Sequence, residues 1–217
     1  MTVEPPLPPR PPDLAPELPA ANADEIVRER LADEVELTGD LTGVAAADLR
    51  LRGSRLRAAD LSDAQLRGLD AADLVVEDGS WANAGLVEAS LARVEASGLR
   101  ATGARFTEST VADTTFAGCR LDLASFRFAE LDRVVFRDCR LEEADFYGAK
   151  LRSVRFERCV LTGATFETAE LERCELRGCD LSEIAGVDRL AGSRLPLADV
   201  VQIAGLLATA AGIEVLD

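Results

Sequence analysis

Histidine is absent from the 217 residues, and tryptophan, tyrosine and methionine occur once each. Without an imidazole there is no Ser-His-Asp or Cys-His nucleophile pair and no histidine ligand for a metal. GxGxxG, GxxxxGK[ST] and Cys-x-x-Cys are also missing, and with them the backbone cradles and thiol spacings that hold phosphates and metals. No apolar run of about 20 residues exists, so no transmembrane helix is expected. The N-terminus has no basic start followed by an apolar stretch, so no secretory signal is expected either. Basic residues are the minority, 24 Lys and Arg against 39 Asp and Glu, for a net charge of −15. A surplus that large argues against direct binding of nucleic acid or an anionic membrane. These absences predict a non-enzymatic, cofactor-free protein of the cytoplasm that acts on a protein partner.

What is present is a repeat. Between Ala101 and Asp180 the chain falls into four lines of 20 residues that stack almost letter for letter: ATGARFTESTVADTTFAGCR, LDLASFRFAELDRVVFRDCR, LEEADFYGAKLRSVRFERCV and LTGATFETAELERCELRGCD. Inside each line the period is five. Large apolar residues recur at Phe106, Val111, Phe116, Leu121, Phe126, Leu131, Phe136, Leu141, Phe146, Leu151, Phe156, Leu161, Phe166 and onward to Leu181, most with a small residue two places earlier. A period of five fits neither the helix nor the alternating strand. It fits a chain that bends every five residues and returns to the same corner after four bends. Coils of that kind pair as parallel strands about 4.8 Å apart and touch only their neighbours.

The tandem pattern A-[D/N]-L-x-x, carried here by Ala59-Asp60-Leu61, Ala72-Asp73-Leu74, Ala144-Asp145-Phe146, Ala149-Lys150-Leu151 and Cys179-Asp180-Leu181, resembles the pentapeptide-repeat proteins. The resemblance runs from about Val35 to Leu195. It implies an all-β solenoid, a right-handed quadrilateral parallel β-helix, closed by short terminal helices. Members of that family include bacterial fluoroquinolone-resistance proteins, which are dimeric acidic rods that mimic DNA and bind gyrase. The resemblance therefore implies DNA gyrase, a type II topoisomerase, as a candidate partner, with a rigid scaffold for another protein as the alternative.

Four segments are expected. Residues 1–21 carry eight of the nine prolines and read as a disordered tail, with a ligand for an aromatic-lined groove as the alternative. Residues 22–34 read as a capping helix, opened by Asn22 with Glu25 three places on. Residues 35–195 form the repeat. Its register is ambiguous across 68–84, where Ala71 or Leu74 is the central residue and Glu77-Asp78-Gly79-Ser80 reads as a loop or bulge. Trp81 stands where Leu is expected, either buried in a widened coil or turned outward as an anchor. Residues 196–217 read as a helix from Pro196 to about Ala211, stopped by Gly212, with Ile213, Val215 and Leu216 returning along the coil edge.

Candidate site residues follow from charge and apolarity. A duplex mimic must display negative charge where phosphates would lie, and two acidic blocks meet that need: Asp70, Asp73, Glu77 and Asp78, then Glu167, Glu170, Glu172 and Glu175. Between them the four coils from 81 to 160 are each net zero. Val200, Val201, Ile203, Leu206 and Leu207 give the last helix a wide apolar face, for capping the solenoid or joining a second copy, while Asp199, Gln202 and Thr209 are placed on its other side. The structural core is assigned to Phe106, Phe116, Phe126, Phe136, Phe146, Phe156 and Phe166 with Cys119, Cys139, Cys159 and Cys179. Thiols stacked about 4.8 Å apart and pointing the same way do not converge like metal ligands. They read instead as small buried hydrophobes.

Overall fold

An inward-pointing residue at every fifth position forces the backbone to turn a corner between one and the next. The computed structural model, which describes residues 3–215, is the square coil this demands. The chain opens with strand β1 (Ala20–Ala21), helix α1 (Ala23–Glu29) and strands β2 (Leu31–Asp33) and β3 (Glu36–Leu37). Five bent strands of eight residues follow: β4 (Arg50–Arg57), β5 (Asp70–Glu77), β6 (Ser90–Ser97), β7 (Thr110–Ala117) and β8 (Glu130–Arg137). In the next two coils the same strand is split at its bend, into β9 (Lys150–Arg152) with β10 (Arg155–Glu157) and β11 (Glu170–Glu172) with β12 (Glu175–Arg177). All pair in parallel. The other two sides of each coil are turns joined by single bridges such as Ser80↔Arg100 and Gly85↔Arg105.

The spacing of paired residues is 20 without interruption from Asp40↔Asp60 to Thr165↔Ala185. The ambiguous stretch is thereby resolved. Ala71 is the central residue, between Leu51 and Leu91, and Leu74 takes the slot beside it. Glu77 to Ser80 is neither loop nor bulge but an ordinary corner, with Asp78 at φ 53° directly under Gly98 at φ 63°. Departures from the pattern compensate one another in size. Small Ala71 comes with large Leu74, and small Ala96 with Val94. An added carbon on Gly79 would lie 2.9 Å from the backbone carbonyl oxygen of Ala59 in the coil below, closer than a side chain can approach. Trp81 is buried, with Ala101 standing over it in the same column.

Two stacks of phenylalanine fill the later coils. Phe106, Phe126, Phe146 and Phe166 stack at 4.9, 5.0 and 5.1 Å between ring centroids. Phe116, Phe136 and Phe156 stack on the opposite side at 5.2 and 5.1 Å, and the two columns meet edge to face. Cys119, Cys139, Cys159 and Cys179 occupy one buried corner column, and each thiol donates to the carbonyl 23 residues earlier, as from Cys139 to Phe116 at 3.3 Å. Burial pushes the thiol of Cys174 up to about 11.

Both ends depart from expectation. The capping helix does not extend over 22–34. Asn22 accepts from the Asp24 N–H, Arg30 at φ 55° ends α1, and Leu31–Asp33 already pairs with β4. The open edge of β4 supplies the backbone partners of Leu31–Asp33 instead. At the other end a 3-10 turn (Val187–Leu190) leads to α2 (Leu197–Gln202) and α3 (Ala204–Ala210), broken at Ile203, where φ is −104°. Ile213 and Val215 form no strand and are 59% and 62% exposed. Leu216 lies outside the described residues.

Candidate functional site

One corner column runs the length of the long-strand side: Gly53, Asp73, Arg93, Asp113, Arg133, Ser153 and Arg173, all left-handed with φ between 51° and 55°. Its charges alternate and pair. Arg93 holds Asp73 through two bonds of 2.6 and 2.5 Å, and Arg133 holds Asp113 through two of 2.6 and 3.0 Å.

The proline-rich segment lies along this column and is not a disordered tail. Arg10 reaches Asp113 with its backbone N–H at 3.1 Å and its guanidinium at 2.9 and 2.6 Å. The Asp13 N–H donates to Asp73 at 3.1 Å, and Glu4 pairs with Arg173 at 2.6 Å. Val3, Pro6, Pro9, Pro12, Ala15 and Leu18 are covered while most residues between them are exposed. That period of three is the signature of polyproline II, which is extended before it binds and so loses little entropy on docking. Pro8 and Pro9 cross a recess of about 440 Å³ lined by Val75, Ala96, Thr115 and Val135 among others. Beneath this strap the side chain of Asp113 is only 2% exposed. Two guanidiniums, Arg133 first and then Arg10, hold its carboxyl well below the usual carboxylate range. The sequence carried a signal for this site: Glu-Pro-Pro, Leu-Pro-Pro and Arg-Pro-Pro in tandem place a non-proline, with its N–H, at every third residue.

Most of the acidic residues of the two blocks lie along the strands and are largely neutralised there, while Glu167 stands in a turn. Asp70 pairs with Arg52, Asp73 with Arg93, and Glu77 with Arg57. Glu172 pairs with Arg152, and buried Glu175 with both Arg177 and Arg194. Among the described residues, Asp78, Glu167 and Glu170 have no ion pair. The charge columns between the blocks are also paired, Glu130 with Lys150 at 2.8 Å and Arg137 with Glu157 at 2.9 Å.

At the C-terminal end most of the expected apolar face packs, but the two polar residues of α2 placed on its outer side are turned inward. Asp199 and Gln202 face the last coil, where they accept the N–H groups of Gly178 at 2.7 Å and Leu181 at 3.0 Å. The terminal coil has no further strand to satisfy these donors, so polar side chains do. Ile203 is buried and Val200, Leu206 and Leu207 are half-buried; Val200, Ile203 and Leu207 line an apolar cavity of about 410 Å³ with Val187, Leu190 and Leu195. Val201 points outward with Leu197, at 65% and 78% exposure.

A parallel solenoid whose side chains are spent on stacking and ion pairs defines a class of repeat proteins that present surfaces. Residues 99–166 match the family model of the pentapeptide repeat region, and residues 40–70 and 150–184 match that of the pentapeptide repeats. The chain belongs to the pentapeptide-repeat proteins. Among solved structures it is similar to HetL, a pentapeptide repeat protein involved in heterocyst differentiation regulation from the cyanobacterium Nostoc sp. strain PCC 7120, with 24% identity, TM-score 0.38, and coverage of 82% of this chain and 98% of that one. It is also similar to full-length QnrB1, a plasmid-mediated fluoroquinolone resistance protein, with 16% identity, TM-score 0.35, and coverage of 84% and 100%. A pentapeptide repeat protein of the Arabidopsis thaliana thylakoid lumen shares 23% identity over 50% of this chain and 73% of that one, with TM-score 0.34. No curated protein matches the chain. Among the described residues no helix is long and apolar enough to cross a membrane.

Proposed function

We propose that this chain is a non-catalytic binding rod, a rigid scaffold for a protein partner, and that two copies meet through the C-terminal end. The observation that carries the scaffold reading over duplex mimicry is the pairing of Asp70, Asp73, Glu77, Glu172 and Glu175 with arginines of the same chain. A carboxylate already neutralised by its neighbour presents little of the field that a phosphate does. Association through the end is supported by Leu197 and Val201, apolar side chains left outward after the polar ones are spent on capping. Sedimentation of the full chain at tens of micromolar is expected to give a dimer, and Leu197→Glu with Val201→Glu a monomer. A monomeric parent chain would refute association through this end.

The second reading, a DNA mimic that modulates gyrase, is supported by the net charge of −15 and by exposed Asp78, Glu167 and Glu170. Gyrase supercoiling with the protein titrated in separates the two. A scaffold leaves supercoiling unchanged at every dose. Inhibition at low micromolar protein, relieved by salt and by neutralising Glu167 and Glu170, would establish the mimic instead.

A further inference from the structure

We propose that the corner column from Asp73 to Arg173 is a recognition site for extended X-Pro-Pro triplets carrying an arginine, occupied by the chain's own residues 3–13 until a partner segment of the same chemistry displaces them. The argument rests on a match of two lattices. One turn of polyproline II is three residues, or about 9.3 Å. Two coils of the solenoid are about 9.6 Å. The Asp13 N–H binds Asp73, and the Arg10 N–H, three residues back, binds Asp113, two coils on. The same backbone atom thus meets the same column position at both contacts.

Continuing the progression places Leu7, the next non-proline, at the level of Ser153. That side chain is 1% exposed, although it stands at a corner, and its hydroxyl has no hydrogen-bond partner among the described residues. It is a buried polar group at the place where a bound segment would present an N–H or a side-chain acceptor. Glu4 pairs with Arg173, one coil beyond Ser153 where the progression would step two, so the register is tight between Asp13 and Arg10 and looser beyond.

The ligand chemistry follows from these contacts. Prolines at the second and third places of each triplet keep the segment extended and set Pro6, Pro9 and Pro12 against the face. A non-proline at the first place supplies the N–H. Arginine is required at the Asp113 level, because its planar fork brings two N–H groups to the one oxygen, Oδ2, of a carboxylate that Arg133 already grips across both. The strap is held at its edges: Leu7 is 48% exposed and the Arg10 side chain 67%. A competing segment therefore has access to each anchor in turn. Tethering makes the resident segment a strong competitor, since its local concentration reaches millimolar values.

The test uses the full chain and a fluorescein-labelled peptide of residues 3–16. Arg10→Glu in the full chain sets a carboxylate against Asp113 and releases the strap without altering the column. The peptide is expected to bind that variant at least about tenfold more tightly than it binds the parent chain. A peptide with Arg10→Gln, and one with an extra residue between Arg10 and Asp13, are each expected to lose about tenfold or more on the same variant. Asp113→Asn, added to the variant, is expected to abolish the preference for arginine. Equal binding to parent and variant, or equal binding of the register-shifted peptide, would overturn the proposal. The peptide comparisons are made on one folded chain, so they decide the matter even where Asp113→Asn does not fold.

Discussion

Trp81 stands in a column that holds Leu61 below it and Ala101 above it, and all three are buried. In a stack with one coil every 4.8 Å or so, extra volume at one level has to be taken from the next. Trp81→Leu alone is expected to leave a cavity and to cost roughly 1–3 kcal/mol, and Ala101→Leu alone to overpack by a similar amount. The double substitution restores the leucine column and is expected to recover most of the loss, which chemical denaturation of the four proteins measures. Asp113 gives a prediction of a different kind. Its folded-state pKa is depressed, so the stability it contributes is fully present above its unfolded value of about 4 and is lost only as pH falls through the lower folded value. Hydrogen exchange at the Arg10 and Asp13 amides is therefore expected to stay protected from pH 7 down to about pH 4. Loss of that protection near pH 6 would place the strap's hold elsewhere.

Among the elements, the phenylalanine stacks concentrate the burial. Phe136 lies between Phe116 and Phe156 and meets Phe126 and Phe146 edge-on, so Phe136→Ala opens a space no neighbour can enter. The expected cost is about 3–5 kcal/mol, read as a shift in the denaturation midpoint. An unchanged midpoint would be incompatible with the register of β7, β8 and β10. This register was legible in the sequence because inward positions admit few residue types: the repeat of Phe126, Phe146 and Phe166 states the coil length by itself. It was less legible where sizes were traded, since Ala71 beside Leu74 satisfies two phases until the strands on either side choose one. The strap was misread for a related cause. Composition describes Pro5 to Pro12 as unable to form a core, which is true, but says nothing of a surface waiting for an extended chain. The spacing of the non-prolines contained that information. The polar inner side of α2 was hidden too, because an apolar wheel position gives no account of the unpaired N–H groups of Gly178 and Leu181 that drew Asp199 and Gln202 inward.

At the scale of the whole molecule, coils couple through nearest neighbours, and the strap is the exception. Anchored at the levels of Asp73, Asp113 and Arg173, it joins coils that otherwise never meet. This makes the number of coils something the chain measures. From Arg10 to Glu4 the strap reaches about 18.6 Å across three coils of about 14.4 Å, so it has slack, and one inserted coil would bring the span to about 19.2 Å, the same close match found between Arg10 and Asp13. From Arg10 to Asp13 it reaches about 9.3 Å across about 9.6 Å and has nothing to spare. Duplication of a 20-residue unit, the easiest way for such a gene to grow, is thus tolerated on one side of Asp113 and punished on the other.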